Sequence, residues 1–330
     1  MSKSVKTIAI VGAGQIGSRH LQALAKLDIP VRLQIIDSSE DALKITEKRY
    51  LKIPKNEKIN SIEFHHKLEE LNAEIDLCVI ATNSDVRFQV FQELTTKKRV
   101  SNIIFEKVVF QSYRHFQKAE EMLLNKNISC WVNCPRRMFP IYNKLKKIMA
   151  GDNKVNLKIS GGDWGLACNA IHFIDLLAFL SQDASYKILG IIGLDPIIWK
   201  SKRKGFIEIT GKLAGIFSNG SRIRLESIAG SKEHLRISIN NSKVKAIFDE
   251  TSGIAKIARQ EKNWNETIFA FKTPFQSELT HIAAKEILNS GDCQLTGFNE
   301  STLLHQPFLK AIKNHIENIE HKQYNYCPIT

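Results

Sequence analysis

Three glycines, Gly12, Gly14 and Gly17, stand in Val11-Gly12-Ala13-Gly14-Gln15-Ile16-Gly17 with G-x-G-x-x-G spacing. The spacing alone is common, so its meaning rests on what surrounds it. The apolar run Thr7-Ile8-Ala9-Ile10-Val11 precedes it, and Ile16, Leu21, Leu24 and Leu27 follow at helical spacing. A glycine turn between a strand and a helix start suits a pyrophosphate. Gly12 permits the tight turn, Gly14 lets the main chain approach the phosphates, and Gly17 lets the helix pack closely on the sheet. The N–H groups at that helix start, Gln15 and Ile16 among them, attract the anion. Asp37 closes the run Leu33-Gln34-Ile35-Ile36-Asp37, 20 residues after Gly17. A carboxylate there accepts from a ribose 2′-hydroxyl and repels a 2′-phosphate, which favours NAD over NADP as the cofactor. The other reading of these residues is a plain glycine turn with Asp37 capping the next helix.

The elements around this loop alternate. Strand-like runs at 31–36, 76–81, 102–105 and 128–132 are separated by helical patterns near 40–49, 84–97 and 113–124. Apolar strands alternating with amphipathic helices predict a parallel sheet covered on both faces. From about residue 155 the texture changes. A helix over 166–180 precedes alternating runs at 207–216, 221–228, 234–239, 243–248 and 254–257, broken by turns such as Ser218-Asn219-Gly220. Helices near 276–288 and 301–319 close the chain. The expected architecture is α/β: a dinucleotide-binding Rossmann domain over 1–134, then an α+β domain over 135–330 with a broad, mostly antiparallel open sheet. That second domain is expected to bind substrate and to form a homodimer or homotetramer through its sheet, with the last helix able to pack back on the first domain.

Composition narrows the classes. Of 330 residues, 43% are apolar and 25% charged, which suits a globular chain. No apolar run reaches the roughly 20 residues of a membrane span. The start, Met1-Ser2-Lys3-Ser4-Val5-Lys6, leads directly into a strand and does not suit a signal peptide, so a cytoplasmic protein is expected. The six cysteines contain no C-x-x-C pair, and neither a disulfide framework nor a metal site is expected. The net charge of +13 raises nucleic acid as a partner, but the lysines are scattered along the sequence. Nucleic acid is therefore not expected; a basic surface would still draw in anionic cofactors and substrates, so the charge is permissive and not diagnostic.

The chain resembles the Gfo/Idh/MocA oxidoreductases, the glucose–fructose oxidoreductase and inositol dehydrogenase type, through an ordered series of motifs. Ala81-Thr82-Asn83 resembles the family's A-T-P/N segment along the cofactor, and Phe105-Glu106-Lys107 its E-K-P motif. Asn133 to Pro140 is similar to an N-x-x-R-R-x-x-P junction, and Gly161-Gly162 with His172 and Asp175 to the G-G…D-x-x-x-H-x-x-D helix. The resemblance implies hydride transfer between a nicotinamide and a sugar, cyclitol or sugar-nucleotide carbinol or carbonyl. His172 would be the acid or base, and Lys107 would bind the substrate oxygen and depress the histidine pKa. Glu106 would join the cofactor site, and Asn133, Arg137, Trp164, Cys168, Asn169 and Asp175 the substrate site. Asp175 and Arg137 read equally well as ion-pair partners, and Trp164 and Trp131 as core rather than a sugar-stacking wall. A lone histidine on an apolar helix is ordinarily a core residue.

Three departures stand out. Val108 replaces the proline after Lys107, Cys168 stands four residues before His172 where the family has aspartate, and Arg87 stands where many members have histidine. A thiol does not replace a carboxylate that charges a histidine or meets sugar hydroxyls. That change motivates the alternative of a non-catalytic NAD-binding regulator or scaffold.

Overall fold

A strand that is apolar on both sides must be covered on both sides. The computed structural model describes residues 5–190 and 193–330, and Met1–Ser4, read above as the lead-in to the first strand, lie outside the described residues. The chain forms two compact units. The first comprises the chain up to Phe110, Arg114–Pro135 and Pro274–Phe298. The second comprises Gln111–Tyr113, Arg136–Thr273 and Asn299–Thr330. Pro274–Phe298, placed with the second domain by sequence, therefore belongs to the first unit.

In chain order the first unit contains β1 (Lys6–Val11), α1 (Gln15–Leu24), β2 (Val31–Ile36), α2 (Glu40–Tyr50) and β3 (Ile59–His65). After these come β4 (Leu77–Ile80), α3 (Ser84–Lys97), β5 (Asn102–Glu106), α4 (Tyr113–Asn125) and β6 (Ser129–Asn133). The main sheet runs β3-β2-β1-β4-β5-β6 with every pair parallel, the Rossmann order. The short strand Thr296–Gly297 adds to its edge, antiparallel to β6. Ile8, Leu77, Val79 and Ile103 are fully buried in the central strands. Each such side chain contributes about 1.5–3 kcal/mol by burial. The edge strand β3 is only half-buried along most of its length.

The second unit contains α5 (Pro140–Met149), β7 (Asn156–Gly162), α6 (Leu166–Ser181), β8 (Tyr186–Gly190), β9 (Gly211–Phe217) and β10 (Arg222–Ile228). β11 (Arg236–Asn240), β12 (Val244–Asp249), β13 (Ile254–Arg259) and β14 (Glu266–Ala270) follow, and after α7 (Thr280–Ser290) of the first unit α8 (Phe298–Glu320) comes last. Its eight-stranded sheet runs β8-β9-β10-β7-β11-β12-β13-β14. Only β10 and β7 pair in parallel. Burial alternates strictly along β9 to β12, so one face is core and the other is exposed. The exposed face gathers Lys158, Arg222, Arg224, Arg236, Lys245 and Lys256, cations that look scattered in the sequence. No helix among the described residues is long and apolar enough to cross a membrane.

Candidate cofactor and acid–base site

The glycine loop is shaped by its neighbours in the first unit. Gly12 adopts φ +100°, and a Cβ there would meet Thr82 N at 2.8 Å and the Ala81 carbonyl carbon at 2.9 Å. Gly17 is tighter still, since its Cβ would fall 1.8 Å from Gly12 O. Both positions require glycine for packing. Gly14 differs: its φ is −66° and a Cβ would meet nothing within 4 Å. Its lack of a side chain leaves open space at the start of α1, where the first intrahelical bond is Ser18 N–H to Gly14 O. The N–H groups of Gln15, Ile16 and Gly17 precede that bond and face the helix's positive end.

Asp37 is joined to this turn directly. Its Oδ2 accepts from Ala13 N at 2.7 Å and its Oδ1 from Ser39 N at 2.9 Å. An ionised carboxylate has about four lone-pair sites, so capacity for ribose hydroxyls remains. Helix α2 is capped by Ser39, whose Oγ accepts from Ala42 N. Arg49 of α2 donates to Gln15 Oε1 at 2.7 Å and also to Ser18 Oγ, which brings a cation beside the glycine loop. Thr82 Oγ1 is buried without a hydrogen-bond partner among the described residues. An open cradle at Gly14, an acceptor at Asp37 and an unmet hydroxyl at Thr82 fit a dinucleotide. Asn83, exposed, begins α3.

Glu106, at the end of β5, is buried in a closed polar ring. Its Oε1 meets His20 Nε2 at 2.9 Å and Asn133 Nδ2 at 2.5 Å. Asn133 also donates to Gln276 Oε1 at 2.9 Å, Gln276 to Thr280 Oγ1 at 2.8 Å, and Thr280 Oγ1 lies 2.8 Å from His20 Nδ1. Burial pushes the Glu106 carboxyl up, but the bonds from His20 and Asn133 and the charge of Lys107 hold it below the usual range. Glu106 Oε1 and Asn133 Nδ2 are thus engaged within the first unit, at the end of the sheet. Lys107 follows immediately, 8% exposed, and the Lys107–Val108 peptide is cis. Trp131 is buried and donates to Asp292.

In the second unit, α6 carries the other candidates. It is buried almost throughout, and Cys168, Asn169 and His172 form its half-exposed stripe in the first turns. Asn169 Nδ2 donates to Trp164 O, and Trp164 donates to Glu226 O and stands edge-on to Phe173. The helix begins at Gly165 in the left-handed region, with no cap from its own side chain. Glu208, from the short strand Ile207–Glu208, supplies the cap: its carboxylate accepts from Ala167 N at 2.5 Å and Cys168 N at 3.3 Å. A carboxylate thus stands beside Cys168 although the helix carries none there. Of the two readings of Asp175 and Arg137, the ion pair is present. Arg137 Nε meets Asp175 Oδ2 at 2.8 Å and Arg137 Nη2 meets Glu300 Oε1 at 2.7 Å. Burial opposes the Arg137 cation, yet the two carboxylates raise its pKa well above the ordinary value.

Residues 6–134 match the model of an oxidoreductase family with an NAD-binding Rossmann fold, Gfo/Idh/MocA. No curated protein sequence matches the chain. Solved structures share its fold at low identity. Scyllo-inositol dehydrogenase from Lactobacillus casei, with bound NAD(H) and scyllo-inositol, is 15% identical, with a TM-score of 0.66 over 96% of this chain and 98% of that one. A 3-ketoreductase from Actinomadura kijaniata in complex with TDP-benzene and NADP is 13% identical, with a TM-score of 0.66 over 94% and 98%. The super-repressor mutant of Gal80p from Saccharomyces cerevisiae is 12% identical, with a TM-score of 0.71 over 97% and 100%.

Within the first unit, the sequence did not point to Arg49, His20 or the partners supplied by Pro274–Phe298. The sequence places Arg49 on the second helix without showing that it reaches back to Gln15. Glu208 carried no local signal at all. Two predictions follow from the buried charges. Arg137→Met or Asp175→Asn alone should each cost about 3–5 kcal/mol in denaturant unfolding, and the pair together less than their sum. Because the folded Glu106 pKa is lowered, its stabilisation is present above the unfolded value near 4.5 and is lost as pH falls through the folded one. The stability gap between wild type and Glu106→Gln should therefore narrow as pH falls from 5 toward 3 (about two units) in urea titrations.

Proposed function

We propose that this chain is an NAD-dependent dehydrogenase or reductase acting on a carbinol or carbonyl of a sugar, cyclitol or sugar nucleotide. The observation that carries the reading is the glycine turn packed against Ala81 and Thr82, with Asp37 bonded to Ala13 N–H. The Asp37 carboxylate at the ribose position favours NAD over NADP. The bound nicotinamide would supply the hydride acceptor or donor. His172, half-exposed on α6, would take or return the hydroxyl proton as general base or acid. Lys107 would donate from Nζ to a substrate oxygen and stabilise the negative charge that develops on it. Asn169, Trp164 and Cys168 would border the substrate from the α6 side. Arg137 and Asp175 would keep α6 in place through their ion pair.

Cys168 and the structural likeness to Gal80p favour a second reading, an NAD-binding regulator without turnover. Calorimetric titration with NAD, NADH, NADP and NADPH, followed by an absorbance screen of sugars and cyclitols, separates them. One pair should bind, and Gly14→Ala, which the fold itself accommodates, should weaken it about tenfold or more, or 1.4 kcal/mol. His172→Ala and Lys107→Ala should each reduce kcat about 100-fold. Full turnover in both variants would refute their roles, binding without turnover would favour the regulator, and no binding would remove both readings.

The outer face of the eight-stranded sheet, with Ile247, Ile254 and Ile268 exposed among its charges, would be covered by a second copy of the chain. Sedimentation at micromolar concentration should give a dimer or tetramer, and a pure monomer would sink this assignment.

A further inference from the structure

Arg87 stands in the first turn of α3 and turns its side chain inward, where the residue is 2% exposed. Its guanidinium reaches four main-chain carbonyls. The two hydrogens of Nη1 are shared among Glu106 O at 2.6 Å, Val109 O at 3.0 Å and Val108 O, while Nη2 donates to Thr82 O. Thr82 lies just after β4, in the segment packed against Gly12. The other three acceptors lie on either side of Lys107. One rigid group therefore ties the loop beneath the glycine turn to the loop that presents the lysine.

The chemistry of the side chain makes this tie specific. A guanidinium offers five donors in a fixed plane, so several carbonyls can be held at set angles. Burying the charge without those acceptors would be prohibitive, and the same bonds hold the acceptors in turn. The two loops cannot shift independently while Arg87 bridges them. The loops that follow strands β4 and β5 thus become a single unit.

We propose that Arg87 is a positioning residue that sets Lys107 for reaction and couples its placement to the Ala81–Asn83 loop. The inference rests on the role proposed above for Lys107. It differs from simple stabilisation of the fold, because its effect on turnover must pass through the lysine. A displacement of about 1 Å at a reacting group costs on the order of 100-fold in rate.

The test compares wild type, Arg87→Lys and Arg87→Met by hydrogen exchange, and the Met variant with Lys107→Met and the double variant by steady-state kinetics. Arg87→Met should speed exchange about tenfold in peptides covering 81–84 and 106–110 together, leaving the second unit unchanged. Arg87→Lys, with three donors at a point, should restore part of that protection. On a substrate found by the screen, Arg87→Met should lower kcat about 100-fold. In the Lys107→Met background it should lower kcat no further. Multiplicative losses in the double variant, or exchange rising in only one of the two loops, would overturn the proposal. Absence of turnover in the wild type would count against the oxidoreductase reading, and the exchange comparison would then decide the role of Arg87.

Discussion

The carboxylate of Glu106 is the constraint around which the Rossmann unit is arranged. It ends a fully buried strand at the carboxyl edge of a parallel sheet, and an isolated charge in that position would be expelled or neutralised. His20 and Asn133 make it tolerable. His20 must therefore sit on the buried face of α1, which fixes how the helix after the glycine turn lies on the sheet. Asn133 must end β6 in register with Glu106, which the ladder provides. The lysine that follows Glu106 inherits this anchoring from one side, and the Arg87 guanidinium holds its main chain from another.

Charge is handled differently in the second unit. Arg137 is nearly as buried, but it is neutralised by carboxylates from α6 and α8 rather than by carbonyls and neutral amides. The pair keeps the ends of these elements together and leaves the half-exposed stripe of α6 to Cys168, Asn169 and His172. The exposed carboxylate a sugar site would want is absent from the helix sequence. Glu208 brings one to the first turn from a strand forty residues later.

What the sequence disclosed was local and periodic. The glycine loop and Asp37 are separated by one strand–helix–strand unit, and the continuous apolar runs of β1, β4 and β5 mark strands covered on both faces. These follow from backbone sterics and burial, which act over a few residues. The edge strand β3 was not legible, because Ile59 to His65 mixes polar and apolar residues where one side meets solvent. β7 was hidden in the same way, its Lys158 and Ser160 pointing outward between buried Leu157 and Ile159. Arg49 and Glu208 were named by no pattern, and Arg87 only as a departure from the family motif, since their partners are main-chain groups and side chains distant in sequence. The motif-based roles of Lys107 and His172 rest on family resemblance, which periodicity could not have supplied.

The return of Pro274–Phe298 to the first unit has a temporal consequence. Synthesis proceeds from the N-terminus, so His20, Glu106 and Asn133 are made long before Gln276 and Thr280 complete their ring. Until then the ring has open bonding positions, and the edge of β6 awaits Thr296–Gly297. The first unit is thus begun first and completed only after the whole eight-stranded sheet, which is threaded through it as an insertion. Loop closure across so long an interval is entropically costly. A chain cut short before residue 274 would carry every glycine of its first loop and still lack the strap that seats the helix behind it.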